Sequence, residues 1–116
     1  MKPVVLRNQG ADAFSSFMPV PKPIAEPVTN VRTAVAPVPE SEAVKMGIWE
    51  ATPGRWHRVI VKREYSYFIE GHCFFTPHGS TETIEIRAGD SVYFPENSLG
   101  IWYIVEPTKK AFLIMG

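Results

Sequence analysis

The chain has 116 residues, 45% of them apolar, with 12 basic and 12 acidic side chains and one cysteine. This length supports one domain with one core, and the balanced charge gives no net field that would favour nucleic acid or an anionic membrane. One cysteine excludes an intrachain disulfide, no apolar run reaches the about 18 residues of a membrane span, and the N-terminus lacks a secretion signal. We therefore expect a soluble, cytoplasmic protein.

Residues 1–45 differ in composition from the rest of the chain. They hold seven of the eleven prolines, but Phe14 and Phe17 are their only aromatic residues. Proline fixes φ and lacks an N–H group, so residues 19–39 cannot pair in the middle of a sheet and should run extended, as polyproline II or as an edge strand. The sequence predicts an extended, proline-rich N-terminal arm over residues 1–45 that packs along the following domain or across a partner subunit. A disordered tail is the alternative.

From residue 46 onward the pattern is that of short β-strands. Turn signals rich in Pro, Gly, Asn and Asp separate the predicted strands, which are 47–51, 55–61, 65–69, 73–76, 83–86, 92–94, 101–105 and 111–115. Many short strands at about 10-residue spacing favour a sandwich or a closed barrel, because closure hides the sheet edges. The sequence therefore predicts an all-β barrel or jelly roll over residues 46–116.

Two ordered segments carry a family resemblance. The first runs from Glu64 to Gly71 as Glu-x6-Gly, and the second from Gly89 to Pro95 as Gly-Asp-x4-Pro. Further matching pieces are Trp49-Glu50, Thr76-Pro77, Gly100-Ile101-Trp102 and Lys109-Lys110. In this order they resemble the small single-domain cupins related to (S)-ureidoglycine aminohydrolase. The resemblance implies an RmlC-like cupin fold, a double-stranded β-helix that is usually a homodimer.

The resemblance also implies metal-ligand positions, of which this sequence fills two. Metal-binding cupins present two histidines at i and i+2 of one strand, so that both face the interior, then a glutamate and a third histidine. His57 and Glu64 occupy the first histidine and the carboxylate positions, whereas Val59 and Gly100 stand at the other two. We therefore expect no cofactor, with a weak divalent metal site at His57 and Glu64 as the alternative.

Strand alternation counted from these positions predicts the lining of a ligand pocket. The predicted inward-facing residues are His57, Val59, Glu64, Ser66, Phe68, Gly100 and Trp102. A mostly apolar pocket with one acid, one base and an indole suits a small organic ligand, and Gly100 should leave space beside Trp102. The alternative is a barrel filled by its own aromatic side chains. If Glu64 is buried it needs a partner; the candidates are His57, Arg55, Arg58 or an ion.

Two further features bear on function. Cys73 is interpreted as a buried core thiol rather than a nucleophile. The segment 111–115 is apolar on both faces, which predicts contact with a second subunit or with the arm. Three functions stay open: a cupin that binds a small organic ligand without a strong metal site, a metal-dependent enzyme resembling ureidoglycine aminohydrolase, and a non-catalytic dimerisation module. No catalytic residue is assigned, and whether the protein is an enzyme stays open.

Overall fold

A computed structural model describes residues 3–8, 13–39 and 43–116. Its strands are β1 (Met18–Pro19), β2 (Asn30–Ala36), β3 (Val44–Ala51), β4 (Gly54–Ile60), β5 (Arg63–Pro77), β6 (Ile84–Arg87), β7 (Ser91–Phe94) and β8 (Ser98–Met115). All their pairings are antiparallel. The predicted all-β fold is confirmed. No helix in the described ranges has the length and apolarity needed to cross a membrane.

Two long strands, β5 and β8, run through the whole molecule and organise two layers. In the first layer β8 pairs with β3 and with the first half of β5, and β2 and β7 extend this layer on its two sides. In the second layer the first half of β8 pairs with β4 and with the second half of β5, which also pairs with β6. The core lies between the layers, where residues of both long strands point inward.

Each long strand replaces two predicted strands. The predicted break at Gly71 is a β-bulge, with register shifts between Phe68 and Cys73. Gly71 has φ +107, and a Cβ there would collide with Thr108 on the neighbouring strand. Only glycine accepts this conformation without strain, so the strand bends at Gly71 instead of ending.

Part of the predicted arm pairs with the sheet. The proline-free stretch Asn30–Ala36 forms β2 along β3, and Met18–Pro19 pairs with β2 in turn. The Arg32 guanidinium carbon lies 4.5 Å from the ring centroids of both Phe14 and Phe17, and Arg32 forms a 2.6 Å ion pair with Glu50 on β3. These contacts hold the segment against the first layer. Residues 1, 2, 9–12 and 40–42 of the predicted arm lie outside the described residues.

Aromatic side chains form a large part of the core. Trp102 of β8 contacts rings from both layers, among them Phe75 at 5.0 Å and Phe94 at 5.7 Å between centroids. Cys73 is fully buried in this cluster, as predicted. Burial raises the pKa of the Cys73 thiol to about 12, although the nearby Lys110 acts in the opposite direction.

Candidate functional site

A cavity of about 250 Å³ opens into the barrel between the two layers. Three tryptophans line it, Trp49 from β3, Trp56 from β4 and Trp102 from β8. Their rings lie 6.2 to 6.4 Å apart, centroid to centroid. Its charged lining residues, among those described, are Lys45, Arg58, Glu64 and Lys110. The cavity thus combines aromatic walls with a small number of charged groups, which is typical of small-molecule sites.

Strand register explains why the tryptophans meet. Trp56 is the cross-strand partner of Trp102, and both side chains point into the barrel. Trp49 is the partner of Lys110 in the other layer, and Lys110 is the partner of Phe68. Since directly opposed residues share a face of the sheet, these pairings place indole rings on both sides of the cavity.

A buried ion pair lies within the cavity. The Lys110 Nζ atom donates to the Glu64 Oε2 atom at 2.6 Å, and the Ser66 hydroxyl donates to the same oxygen at 2.8 Å. The two charged side chains are only 7% and 8% exposed. The sequence offered His57, Arg55 and Arg58 as partners for Glu64; the structure provides Lys110 instead. The carboxylate therefore already has a counter-charge and a hydroxyl donor.

The Lys110 ammonium lies among aromatic rings. Its Nζ atom is 4.8 Å from the Trp49 ring centroid and between 5.5 and 5.7 Å from those of Phe94, Trp102 and Phe68. Burial lowers the pKa of Lys110, while the charge and hydrogen bond of Glu64 act to raise it. Ring faces and a carboxylate together favour the cation, and removal from water disfavours it.

The predicted inward orientation of His57 and Val59 is wrong. Both side chains are exposed on the outer surface of β4, where they line a groove of about 480 Å³ with Leu99, Gly100 and His78. Since Trp56 and Ile60 face the core, alternation along the strand turns His57 and Val59 outward. Arg58 lies between them; it lines the cavity, but its side chain is exposed. His57 and Glu64 therefore do not come together, and the metal site predicted from this pair is not formed.

The predicted space beside Gly100 is also absent. A Cβ at Gly100 would lie 2.5 Å from a ring carbon of Phe75 and 2.5 Å from the Thr76 carbonyl oxygen. The Phe75 ring therefore occupies the volume that a larger residue at Gly100 would fill. Glu64, Ser66, Phe68 and Trp102 do lie in the buried interior, and their part in binding a ligand stays a prediction.

Several site residues were missed from the sequence. Lys110 appears in the sequence pattern only as part of the Lys109-Lys110 piece. It nevertheless lies an even number of residues from Trp102 and Phe112, so it shares their buried face of β8. Likewise Trp56 and Ile60 lie four residues apart on β4, which marks their shared face as the inner one. The buried apolar residues on each strand were therefore the signal that could have shown which face points inward.

The donor set around Glu64 does not fit a metal ion. An ammonium group lies 2.6 Å from the carboxylate oxygen that would bind a cation. In the part of the chain that the structure describes, no group of three or more His, Cys, Asp and Glu side chains is placed to hold a metal. Transition-metal sites need several nitrogen, oxygen or sulfur ligands at once. We therefore assign no metal to these residues.

Comparison with known proteins identifies the family. The EutQ-like cupin domain model matches residues 38–112, which include Trp49, Trp56, Glu64, Trp102 and Lys110. No curated protein matches the sequence.

Solved structures share the fold. The Clostridium difficile EutQ protein superposes with a TM-score of 0.67 at 15% identity, over 81% of this chain and 75% of that one. An ethanolamine utilization protein Q from Salmonella typhimurium gives 0.64 at 15% identity, over 74% and 69%. A DUF861 family protein from Thermotoga maritima is 28% identical, with a TM-score of 0.54, over 56% of this chain and 73% of that one. With the family model covering more than half of its residues, the chain belongs to the EutQ-like cupin domain family.

Proposed function

We propose that this protein binds a small organic ligand in its barrel cavity without using a resident metal ion. The observation that carries the proposal is the cavity of about 250 Å³ with three tryptophan walls and one ion pair. A dry apolar cavity of about 150 Å³ is enough to accept benzene, so a molecule of that size or somewhat larger would fit. The tryptophans supply apolar contact area, and the charged groups supply orientation.

The experiment is a ligand screen with a variant that blocks the cavity. Thr33 lines the cavity from β2, so Thr33→Phe should fill part of the cavity. Val59→Phe is the matched control, since Val59 is 42% exposed on the outer surface. Small acids, amides and amines are screened by tryptophan fluorescence and saturation-transfer NMR. Compounds that bind wild type and Val59→Phe but not Thr33→Phe support the proposal; if no compound binds, or if both variants lose binding equally, the proposal fails and an inert dimerisation module is favoured.

A metal-dependent enzyme similar to ureidoglycine aminohydrolase is the second candidate. Glu64 favours it, because it stands at the carboxylate position of that group and lies inside the barrel. The Lys110 ammonium on the same carboxylate argues against it. Metal analysis of the purified protein separates the two candidates: one Mn, Fe, Ni or Zn per chain that is lost in Glu64→Gln would replace the first proposal by the second.

We also infer a homodimer. Tyr65 and Tyr67 on β5 and Tyr93 on β7, the cross-strand partner of Tyr65, share the outer face of the first layer and are between 41% and 55% exposed. Burying such side chains against a second copy would be favourable. Light scattering at several concentrations tests the inference, and a monomer throughout would contradict it. A reducing, cytoplasmic location stays a prediction from the single free cysteine.

A further inference from the structure

More positive than negative side chains line the cavity. Among the described residues, Lys45, Arg58 and Lys110 are cationic, and Glu64 is the one carboxylate. Glu64 is already bound by Lys110 and Ser66. Within the described ranges neither Lys45 nor Arg58 forms an ion pair. The Lys110–Glu64 pair is neutral as a unit. The other two cations are exposed residues that line the cavity, so they give its opening an excess of positive charge.

The two cations come from opposite layers. Lys45 lies on β3, where its cross-strand partner is Ile114 of β8, and Ile114 is in turn the partner of Glu64 on β5. Arg58 lies on β4 opposite Gly100, and it lines both the cavity and the outer groove, which places it at the rim. The positive charge of Arg58 also acts to lower the pKa of Lys110, so the two groups are close enough to repel each other. A charged group bound in the cavity would lie in the field of both cations, because both line it.

We propose that the ligand is an organic carboxylate whose charged head is bound by Arg58 and Lys45 and whose apolar body lies against Trp49 and Trp56. The inference rests on the proposed function and adds the chemical class of the ligand. A guanidinium group can donate two parallel hydrogen bonds to a carboxylate, and a lysine adds a third donor. A cationic ligand would be repelled by the same groups, and the Glu64 carboxylate that could attract it is already paired.

A matched series of ligands tests the charge requirement. The probes are 3-phenylpropionate, 3-phenylpropionamide and 3-phenylpropylamine, which share one skeleton and differ in the head group. Titration calorimetry on the full chain should show the acid binding at least about tenfold more tightly than the amide, which corresponds to about 1.4 kcal/mol, with the amine weakest. The advantage of the acid should shrink at high salt, because screening weakens exposed charge pairs.

Two arginines of one strand provide the variant and its control. Arg58→Gln should weaken binding of the acid about tenfold and change binding of the amide by less than about twofold. Arg55→Gln should leave both unchanged, because Arg55 lies outside the cavity with its guanidinium carbon 4.3 Å from the Tyr103 ring centroid.

The outcomes separate this inference from the proposed function. If the amide or the amine binds as tightly as the acid, or if Arg58→Gln weakens acid and amide equally, the carboxylate inference is wrong while ligand binding in the cavity stands. If none of the three probes binds and the wider screen also finds no cavity ligand, both proposals fail together. Tighter acid binding that is lost only in Arg58→Gln supports both.

Discussion

Replacing Lys110 by methionine should be strongly destabilising, because it leaves the Glu64 carboxylate buried without its counter-charge. The two charges are 2.6 Å apart, and at an effective dielectric constant of about 20 two unit charges at that distance attract by roughly 6 kcal/mol. Much of this attraction offsets the cost of removing both ions from water. When only one partner is removed, the desolvation cost of the other remains without compensation.

Proton uptake sets an upper limit to the loss. A stranded carboxyl group can take a proton from water, and for an ordinary glutamate with a pKa of about 4.3 this costs about 3.7 kcal/mol at pH 7. The loss of the cation–π contacts to Trp49 and its neighbours adds about 1 kcal/mol. We therefore expect Lys110→Met to lose about 3–5 kcal/mol of unfolding free energy at pH 7, in agreement with other broken buried pairs.

Proton uptake by the stranded carboxyl group also sets how the stability of the Lys110→Met variant depends on pH. If the carboxyl is protonated in the folded variant and ionised in the unfolded chain, the unfolded state binds fewer protons above a pH of about 4.3, so the variant loses stability as the pH rises. The deficit relative to wild type should therefore narrow to about 1–2 kcal/mol at pH 5.

Urea unfolding at both pH values, with Lys62→Met as an exposed control, measures this difference. The double variant Glu64→Gln, Lys110→Met removes both charges and should recover most of the loss. A deficit below about 1 kcal/mol at pH 7, or one that does not change with pH, would refute the argument that the pair is desolvated.

Three further predictions concern the thiol, the packed glycine and the N-terminal segment. The raised pKa of Cys73, about 12, means that the thiol proton is held more tightly in the folded state. The resulting stabilisation of the folded state is complete below the unfolded-state pKa near 9. Above that pKa it falls by up to about 1.4 kcal/mol per pH unit. Urea melts from pH 8 to 10.5 should therefore show a steeper loss for wild type than for Cys73→Ala, and equal slopes would contradict the assignment. Gly100→Ala should cost about 1–3 kcal/mol, because its Cβ would lie 2.5 Å from both the Phe75 ring and the Thr76 carbonyl oxygen. An unchanged melting temperature would show that the ring and the backbone can both move aside. Arg32→Gln removes two ring contacts and the ion pair to Glu50, so the segment before β2 should be cleaved faster by proteases while the barrel survives, and an unchanged cleavage rate would show that other contacts hold the segment.

The strand pattern predicted the fold well because the local signals and the final structure agree over most of the second half of the chain. The disagreement lies in the two long strands, which continue through the gaps that the sequence predicts between strands, at Gly71 and at Glu106-Pro107. In the structure these sites face each other at a bulge, with Gly71 packed against Pro107 and Thr108. Proline and glycine are tolerated in strands at such irregular points. A single sequence does not reveal that two turn-like signals are neighbours in space.

The site was harder to predict than the fold, since it depends on which face of β4 points into the barrel. The orientation of β4 was assigned from metal-ligand spacing, and that assignment pointed His57 inward. A one-residue difference exchanges every inner residue for an outer one. The apolar residues Trp56 and Ile60 give the opposite orientation, and the structure follows them. Burial of an indole is worth more than the unmade contact of a histidine whose partner ligands are missing.

Lys110 changes what the barrel interior can do. In the metal-binding cupins that the sequence resembles, the residue at the glutamate position contributes negative charge to a bound cation. Here Glu64 contributes its charge to a cation that belongs to the chain, and the Lys110 ammonium has rings on several sides. That cation is covalently fixed, so it is not lost by dilution or chelation. Arg58 and Lys45 line the same cavity and are the charges that the proposed carboxylate ligand would meet. The Lys110–Glu64 pair adds no net charge to the interior, so any preference for an anionic ligand would come from Arg58 and Lys45.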